Sequence, residues 1–134
     1  MTSGATHIEV RVLRLSPGDD LRARIEAERV PAGCIVSAVG SFSRAVLRFA
    51  AEDKGTVIDG PTELIALSGT LSSDGVHLHA AIADAQGNVK AGHVMPGCIV
   101  RTTAELVIAL LPEWEFRREL DAATGYKELV ASLK

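Results

Sequence analysis

The sequence predicts an α+β fold, a mostly antiparallel sheet with one main N-terminal helix packed on it. One helix signature occurs early and is followed by strand-like segments at short spacing. Hydrophobic residues make up 47% of the 134 residues but aromatics only 4%, so an aliphatic core is expected, of a kind that suits a pleated surface. No repeat, low-complexity tract or linker interrupts the chain, and its length fits one domain over residues 1–134. A domain of this size buries roughly two-thirds of its unfolded surface and can be held by a single core.

Ile8, Val10 and Val12 alternate with Glu9 and Arg11, the period of a half-buried strand. The phase shifts at Leu13 and Leu15, which predicts a bulge or strand end there. Ser16-Pro17-Gly18-Asp19-Asp20 reads as a helix start, with Ser16 as N-cap and Pro17 in the first helical position. Leu21 and Ile25 give the apolar stripe of that helix, and Pro31 and Gly33 end it. Residues 34–39 read as a strand, Gly40-Ser41 as a turn, and Ala45, Leu47 and Phe49 as the next alternation. Asp53-Lys54-Gly55 and Asp59-Gly60-Pro61 are turn clusters. Residues 63–71 contain another strand, closed by Ser72-Ser73-Asp74-Gly75. Val76, Leu78, Ala80 and Ile82 then share one strand face, and His77, His79, Ala81 and Ala83 the other. Residues 84–88 form a hairpin loop and 89–94 its return strand. A long last strand puts Val100, Thr102, Ala104, Leu106, Ile108 and Leu110 on one face. The more charged tail from Pro112 is expected to hold a helical turn or two over 113–122.

Net charge is −3 and the isoelectric point near 5.8, the opposite of the basic face that nucleic-acid binding requires. Arg11, Arg14, Arg22, Arg24 and Arg29 are interleaved with acidic residues and read as a solvated helix face. Cys34 and Cys98 are far apart in apolar surroundings and read as two buried, reduced thiols. The first ten residues lack the pattern of a secretory leader. The longest apolar run, 99–111, is interrupted by Arg101 and Glu105, so no membrane segment is expected and the expected compartment is the cytoplasm.

Three of the four histidines fall between positions 77 and 93. His77 and His79 point to one face of their strand. A hairpin centred on Gln86 pairs residues whose numbers sum to 172, which sets His79 opposite His93. Directly opposed Cβ atoms lie about 4.5–5.5 Å apart, and His77 stands one pleat further along. Three imidazoles then converge, an arrangement that holds zinc with a fourth position open. Ala81, Ala83 and Ala91 leave room for an ion or small ligand, and Gly92 lets a neighbouring backbone approach. A slip of one residue would turn His93 to the other face. The bland alternative, polar positions on a sheet face or at a subunit contact, fits a lone pair of histidines better than it fits three. Imidazole suits zinc, nickel, iron and copper alike.

The acid/base candidates are Glu63 and Glu105, both in strand-like segments. Glu105 shares a face with Arg101 and Thr103. Gly69-Thr70-Leu71 and Gly40-Ser41 read as turns or strand ends, since no G-x-x-x-x-G-K-S/T or G-x-S-x-G pattern is present. Trp114 and Phe116 read as packing or interface anchors, and His7 as incidental to the site.

Taken in order, several stretches resemble the PPC domain, which occurs alone in bacteria and archaea and joined to AT-hooks in plants. They are Leu15-Ser16-Pro17-Gly18-Asp19-Asp20-Leu21, Ala38-Val39-Gly40-Ser41, residues 63–71, Val76-His77-Leu78-His79, residues 84–87, Gly92-His93 and Thr103-Ala104-Glu105-Leu106. Residues 116–121 and 124–129 are similar to bacterial single-domain members. The resemblance implies an antiparallel α+β fold, a homotrimer, and a histidine motif matched by His77, His79 and His93, where a divalent metal, zinc foremost, fits. It also carries the DNA-binding label common in the family. This chain has no Arg-Gly-Arg-Pro hook, has Ala91-Gly92-His93 for Gly-Gly-His, and has Gly60-Pro61-Thr62-Glu63 where plant members carry Gly-Arg-Phe-Glu. Three functions follow as expectations. The favoured one is a homotrimeric binding or regulatory module with a metal or small-ligand site and a protein or DNA partner. The others are a metal-dependent hydrolase or lyase, and a protein that binds DNA directly.

Overall fold

A computed structural model describes residues 7–134. Residues 1–6, where most of the leader reading falls, lie outside the described residues. The elements are β1 (Glu9–Leu15), α1 (Leu21–Ala27), β2 (Ala32–Arg48), β3 (Thr56–Ser72), β4 (Gly75–Ala83), β5 (Val89–Val94), β6 (Ile99–Leu110), β7 (Trp114–Leu120) and β8 (Lys127–Leu133). Every strand pairing is antiparallel. The main sheet runs β1-β6-β2-β3-β4-β5, and β5 returns to pair with the end of β2. Strands β2, β3, β4 and β5 therefore close on themselves around an aliphatic core. The core includes Phe42, Leu47, Leu71, Leu78, Ile82, Val94 and Leu106. The predicted fold class, antiparallel sheet with one early helix, is the observed one.

The local departures have physical causes. The Val10 and Val12 face of β1 is turned outward, with Val12 70% exposed, while Leu15 is buried. Both faces of β1 carry apolar residues, so alternation identifies the strand without identifying its inner side. Residues 16–19 form a turn rather than a helix start: the Asp19 N–H donates to the Ser16 carbonyl and the Ser16 N–H to Asp19 Oδ2. The N-cap is Asp20, whose Oδ1 accepts the Ala23 N–H at 3.0 Å. Its other oxygen accepts the Gly97 N–H at 2.7 Å, tying the helix start to the β5–β6 loop. Leu21 and Ile25 pack inward as expected.

No turn occurs at Gly40-Ser41; β2 continues through it, with a shift of register against β6. A Cβ at Gly40 would lie 2.5 Å from the Thr103 carbonyl oxygen, so this glycine serves the close crossing of β2 and β6. Gly60 likewise sits inside β3, near an irregularity in its pairing with β2, at φ +93°. Gly69-Thr70-Leu71 is also mid-strand. The tail forms the β7–β8 hairpin rather than helical turns. Phe116 is buried between exposed Glu115 and Arg117, a period of two, and Gly125 turns the chain at φ +80°. Cys98 is buried as expected, Cys34 only half so, and both thiols are free.

Candidate metal centre

The β4–β5 loop fixes the register of the histidines. Asp84 Oδ1 accepts the N–H groups of Gln86 and Asn88, each at 2.9 Å, and Gly87 takes φ +81°. These hydrogen bonds, the Asn88 N–H first, hold the Asp84 carboxyl below its ordinary range. The strands leave this loop paired as His79–His93, Ala80–Gly92, Ala81–Ala91, Ile82–Lys90 and Ala83–Val89. Ring centroids of His79 and His93 lie 4.5 Å apart, those of His77 and His79 5.0 Å, and those of His77 and His93 5.2 Å.

Each histidine offers one nitrogen, and these nitrogens lie within 4.8 Å of one another. Zinc–nitrogen bonds in a tetrahedral site place neighbouring nitrogens about 3.4 Å apart. Side-chain rotation of imidazoles on neighbouring strands covers that difference, so the donor set fits a borderline divalent cation. Burial, and then Arg118, lowers the His77 pKa below its ordinary value; burial, and then Arg48, does the same at His93. Both effects favour the neutral imidazole that a metal requires.

Two glycines let the strands come together. A Cβ at Gly92 would stand 2.7 Å from the Arg48 carbonyl oxygen, where β5 closes onto β2. A Cβ at Gly69 would strike the His77 carbonyl oxygen. Strand register also brings three arginines to the histidines. Arg48 on β2 pairs directly with His93. Thr70 on β3 pairs with His77, and its hydroxyl accepts from Arg118 Nη2 at 2.7 Å. From the helix, Arg22 donates through Nη1 to the Val94 carbonyl at 2.8 Å and through Nη2 to the Val76 carbonyl at 3.3 Å. Arg22 is therefore not part of the solvated helix face expected for it.

The result is an open cleft of 880 Å³ above His77 and His93, with the β7–β8 hairpin as one wall. On the other side of His93, a shallower hollow of 390 Å³ is lined by His79, Ala81 and Ala91, as the small side chains suggested. Ala83 does not reach it. Glu63 pairs with Ala83, four residues along β4 from His79, or about 13 Å. Glu105 lies on β6 between Arg14 and Val39. Neither lines the cleft. The carboxylate that acts on His77 is Glu128, on β8. His7 is held by Glu113, away from the cluster. Sequence reasoning missed Arg22, Arg48, Arg118 and Glu128 because their places depend on pairings between distant segments.

A sequence model of the Plants and Prokaryotes Conserved (PCC) domain matches residues 2–112. A region of the "Bifunctional protein GlmU" of Synechococcus sp. (strain JA-3-3Ab) is 49% identical over 126 residues. That match covers 91% of this chain, which spans only 20% of the relative's length. A solved structure from Salmonella enterica is 39% identical, with TM-score 0.91 and 98% of both chains covered. The metal-containing protein AF0104 of Archaeoglobus fulgidus has the same fold, with 24% identity, TM-score 0.77, and 97% and 99% of the two chains covered.

Proposed function

The chain belongs to the Plants and Prokaryotes Conserved domain family, and from that premise we propose that it is a homotrimeric binding module whose His77, His79 and His93 hold one divalent metal, zinc foremost. The observation that carries this reading is the convergence of three imidazole nitrogens within 4.8 Å, set by a hairpin register. The description of the same-fold Archaeoglobus protein as metal-containing supports it. So does the open cleft, which leaves room for a small ligand beside the metal. Trimer formation is supported by the outward apolar face, where Val10, Val12, Val36, Val39 and Ile65 are all exposed in the single chain. The free thiols of Cys34 and Cys98 support a reducing, cytoplasmic setting. Among the described residues, no helix is long and apolar enough to cross a membrane. Partners are a protein or small ligand; direct DNA binding is disfavoured by the charge of −3 and the absent hook.

One observation favours a second reading, a metal-dependent hydrolase or lyase. Glu128 lines the cleft with His77 and His93, where Glu63 and Glu105 do not. When bound, zinc supplies Lewis acidity at an open position. The role left for Glu128 is to accept or donate a proton across the cleft.

Elemental analysis of untagged protein tests the metal, and sedimentation equilibrium the trimer. Near-stoichiometric metal, lost in His77→Ala, His79→Ala and His93→Ala, is the expected result. Wild-type protein that takes up no metal after soaking in zinc overturns the site, and a monomer at micromolar concentration overturns the assembly.

A further inference from the structure

Three guanidinium groups reach the histidine cluster from three separate parts of the chain. Arg48 stands opposite His93 across the β2–β5 closure. Arg118 is aimed by the Thr70 hydroxyl, and Thr70 is the residue opposite His77. Arg22 bridges the carbonyls of Val76 and Val94, each adjacent in sequence to a histidine of the cluster. Among the described residues, Arg48 and Arg118 have no carboxylate within salt-bridge distance; Arg22 has Glu26 at 3.7 Å. Arg48 donates to the Glu52 carbonyl at 3.0 Å. Arg48 and Arg118 thus keep donors beyond the single side-chain hydrogen bond that positions each of them.

We propose that the cleft above the histidines binds a small oxyanion, a carboxylate or phosphate group, gripped by Arg48 and Arg118 with Arg22 behind them. The inference rests on the metal reading above for the cation on the cleft floor. A planar fork of donors matches both oxygens of a carboxylate or two of a phosphate. The cleft also holds carboxylates, but they do not cancel this preference at the histidines. Asp74 accepts the backbone N–H of Arg118 at 3.0 Å. Of the charged groups that act on His77 and His93, three are the arginines and one is Glu128. Glu52, Asp53 and Asp74 also line the cleft, but Glu128 is the carboxylate that acts on His77, and its removal should tighten binding.

Arg118, Tyr126, Lys127 and Glu128 all belong to the β7–β8 hairpin and all line the cleft. The family-matched segment ends at residue 112. Arg118 and the rest of this wall thus lie outside the matched domain, while Arg22, Arg48 and the three histidines lie inside it.

The test is calorimetric titration of the full chain with malonate and with inorganic phosphate, at constant ionic strength, with glycerol as the uncharged control. Metal content is measured on the same samples. Zinc-loaded wild type should bind at least one of the two anions, and the tighter of them names the group. Arg118→Gln and Arg48→Gln should each weaken binding roughly tenfold, and Glu128→Gln should strengthen it. Arg118→Lys, which keeps the charge and loses the fork, should fall between, and circular dichroism confirms that each variant is folded. The proposal is overturned if neither anion binds or if both arginine variants bind like wild type. Absence of zinc from the samples refutes the metal reading alone. Titration of that metal-free protein then decides the anion site: arginine-dependent binding sustains it, and no binding overturns it.

Discussion

Gly92→Ala is the substitution that most directly tests how the site is built. The backbone of Gly92 has no unusual torsion, so the penalty is purely one of space. The added Cβ meets the Arg48 carbonyl oxygen at 2.7 Å and its carbon at 3.2 Å, and both are backbone atoms that cannot swing aside. Ordinary contact begins at 3.4 Å, so β5 and β2 must separate by 0.7 Å (3.4 less 2.7) at this point. Overpacking of this kind costs about 1–3 kcal/mol, which lowers the melting temperature by roughly 4–12 °C in a domain of this size. His93 is the next residue, and its partner across the parted strands is Arg48. A displacement of that size exceeds the ~0.2 Å tolerance of a metal–ligand distance, so zinc affinity should fall about tenfold or more in a competition titration against a chromophoric chelator. Gly87→Ala is a useful comparison. It has open space but sits at φ +81° in the loop that sets the histidine register, so it should cost about 1–2 kcal/mol through backbone strain, and the strain-only control for zinc affinity is Gly18→Ala, at φ +90° with open space and outside that hairpin. Wild-type melting and wild-type zinc affinity in Gly92→Ala would refute the argument that this glycine closes the sheet beneath the site.

The other predictions concern separate parts of the fold. Asp20→Ala removes both the helix cap and the acceptor for the Gly97 N–H, and should cost about 2 kcal/mol in urea unfolding. Thr62→Val should be neutral or stabilising by up to ~1 kcal/mol, because Thr62 Oγ1 is buried without a hydrogen-bond partner. The metal-free protein should lose stability as pH falls below 6.5. Burial, Arg118 and Arg48 lower the folded-state pKa values of His77 and His93, so the unfolded chain takes up protons there first. The associated stability is complete above the unfolded pKa and drains away below it; urea midpoints that stay flat between pH 7 and 5 would contradict this. Burial pushes the Cys98 thiol up, so a thiol reagent at pH 8 should modify half-buried Cys34 first and reach Cys98 only on unfolding.

The parts of the site that were legible in the sequence are those set by local register. Once Asp84 to Asn88 is read as a symmetric loop, the period of two places His79 opposite His93 and puts Ala81 and Ala91 beside them. Gly92 was legible too, as a glycine inside a strand with a close neighbour, although the neighbour itself, β2, was not. What local pattern could not give was the inner side of a strand with two apolar faces, as in β1. Nor could it separate a glycine that turns the chain from one that lets strands cross, as at Gly40 and Gly69. The tail misled for a related reason: its charges hide a two-residue period in which only Phe116 is buried.

The arginines mark a deeper limit. Arg22 belongs to a helix, Arg48 to the end of a strand that runs 17 residues, and Arg118 to the C-terminal hairpin. Each looks like a solvated charge within its own segment. Only the return of β5 to β2 makes Arg48 a neighbour of His93, and only the Thr70 hydroxyl gives Arg118 a direction. The chemistry is therefore divided between two levels of the fold. The proposed metal ligands come from one hairpin that can form from nearby sequence, whereas the groups proposed to face a ligand come from long-range closure. Two chains with the same hairpin and different tails would then hold the same metal and select different ligands. Exchanging residues 113–134 for a tail that lacks an arginine at the Arg118 position should accordingly leave zinc content intact while weakening oxyanion binding, and loss of both together would show that the two levels are not separable.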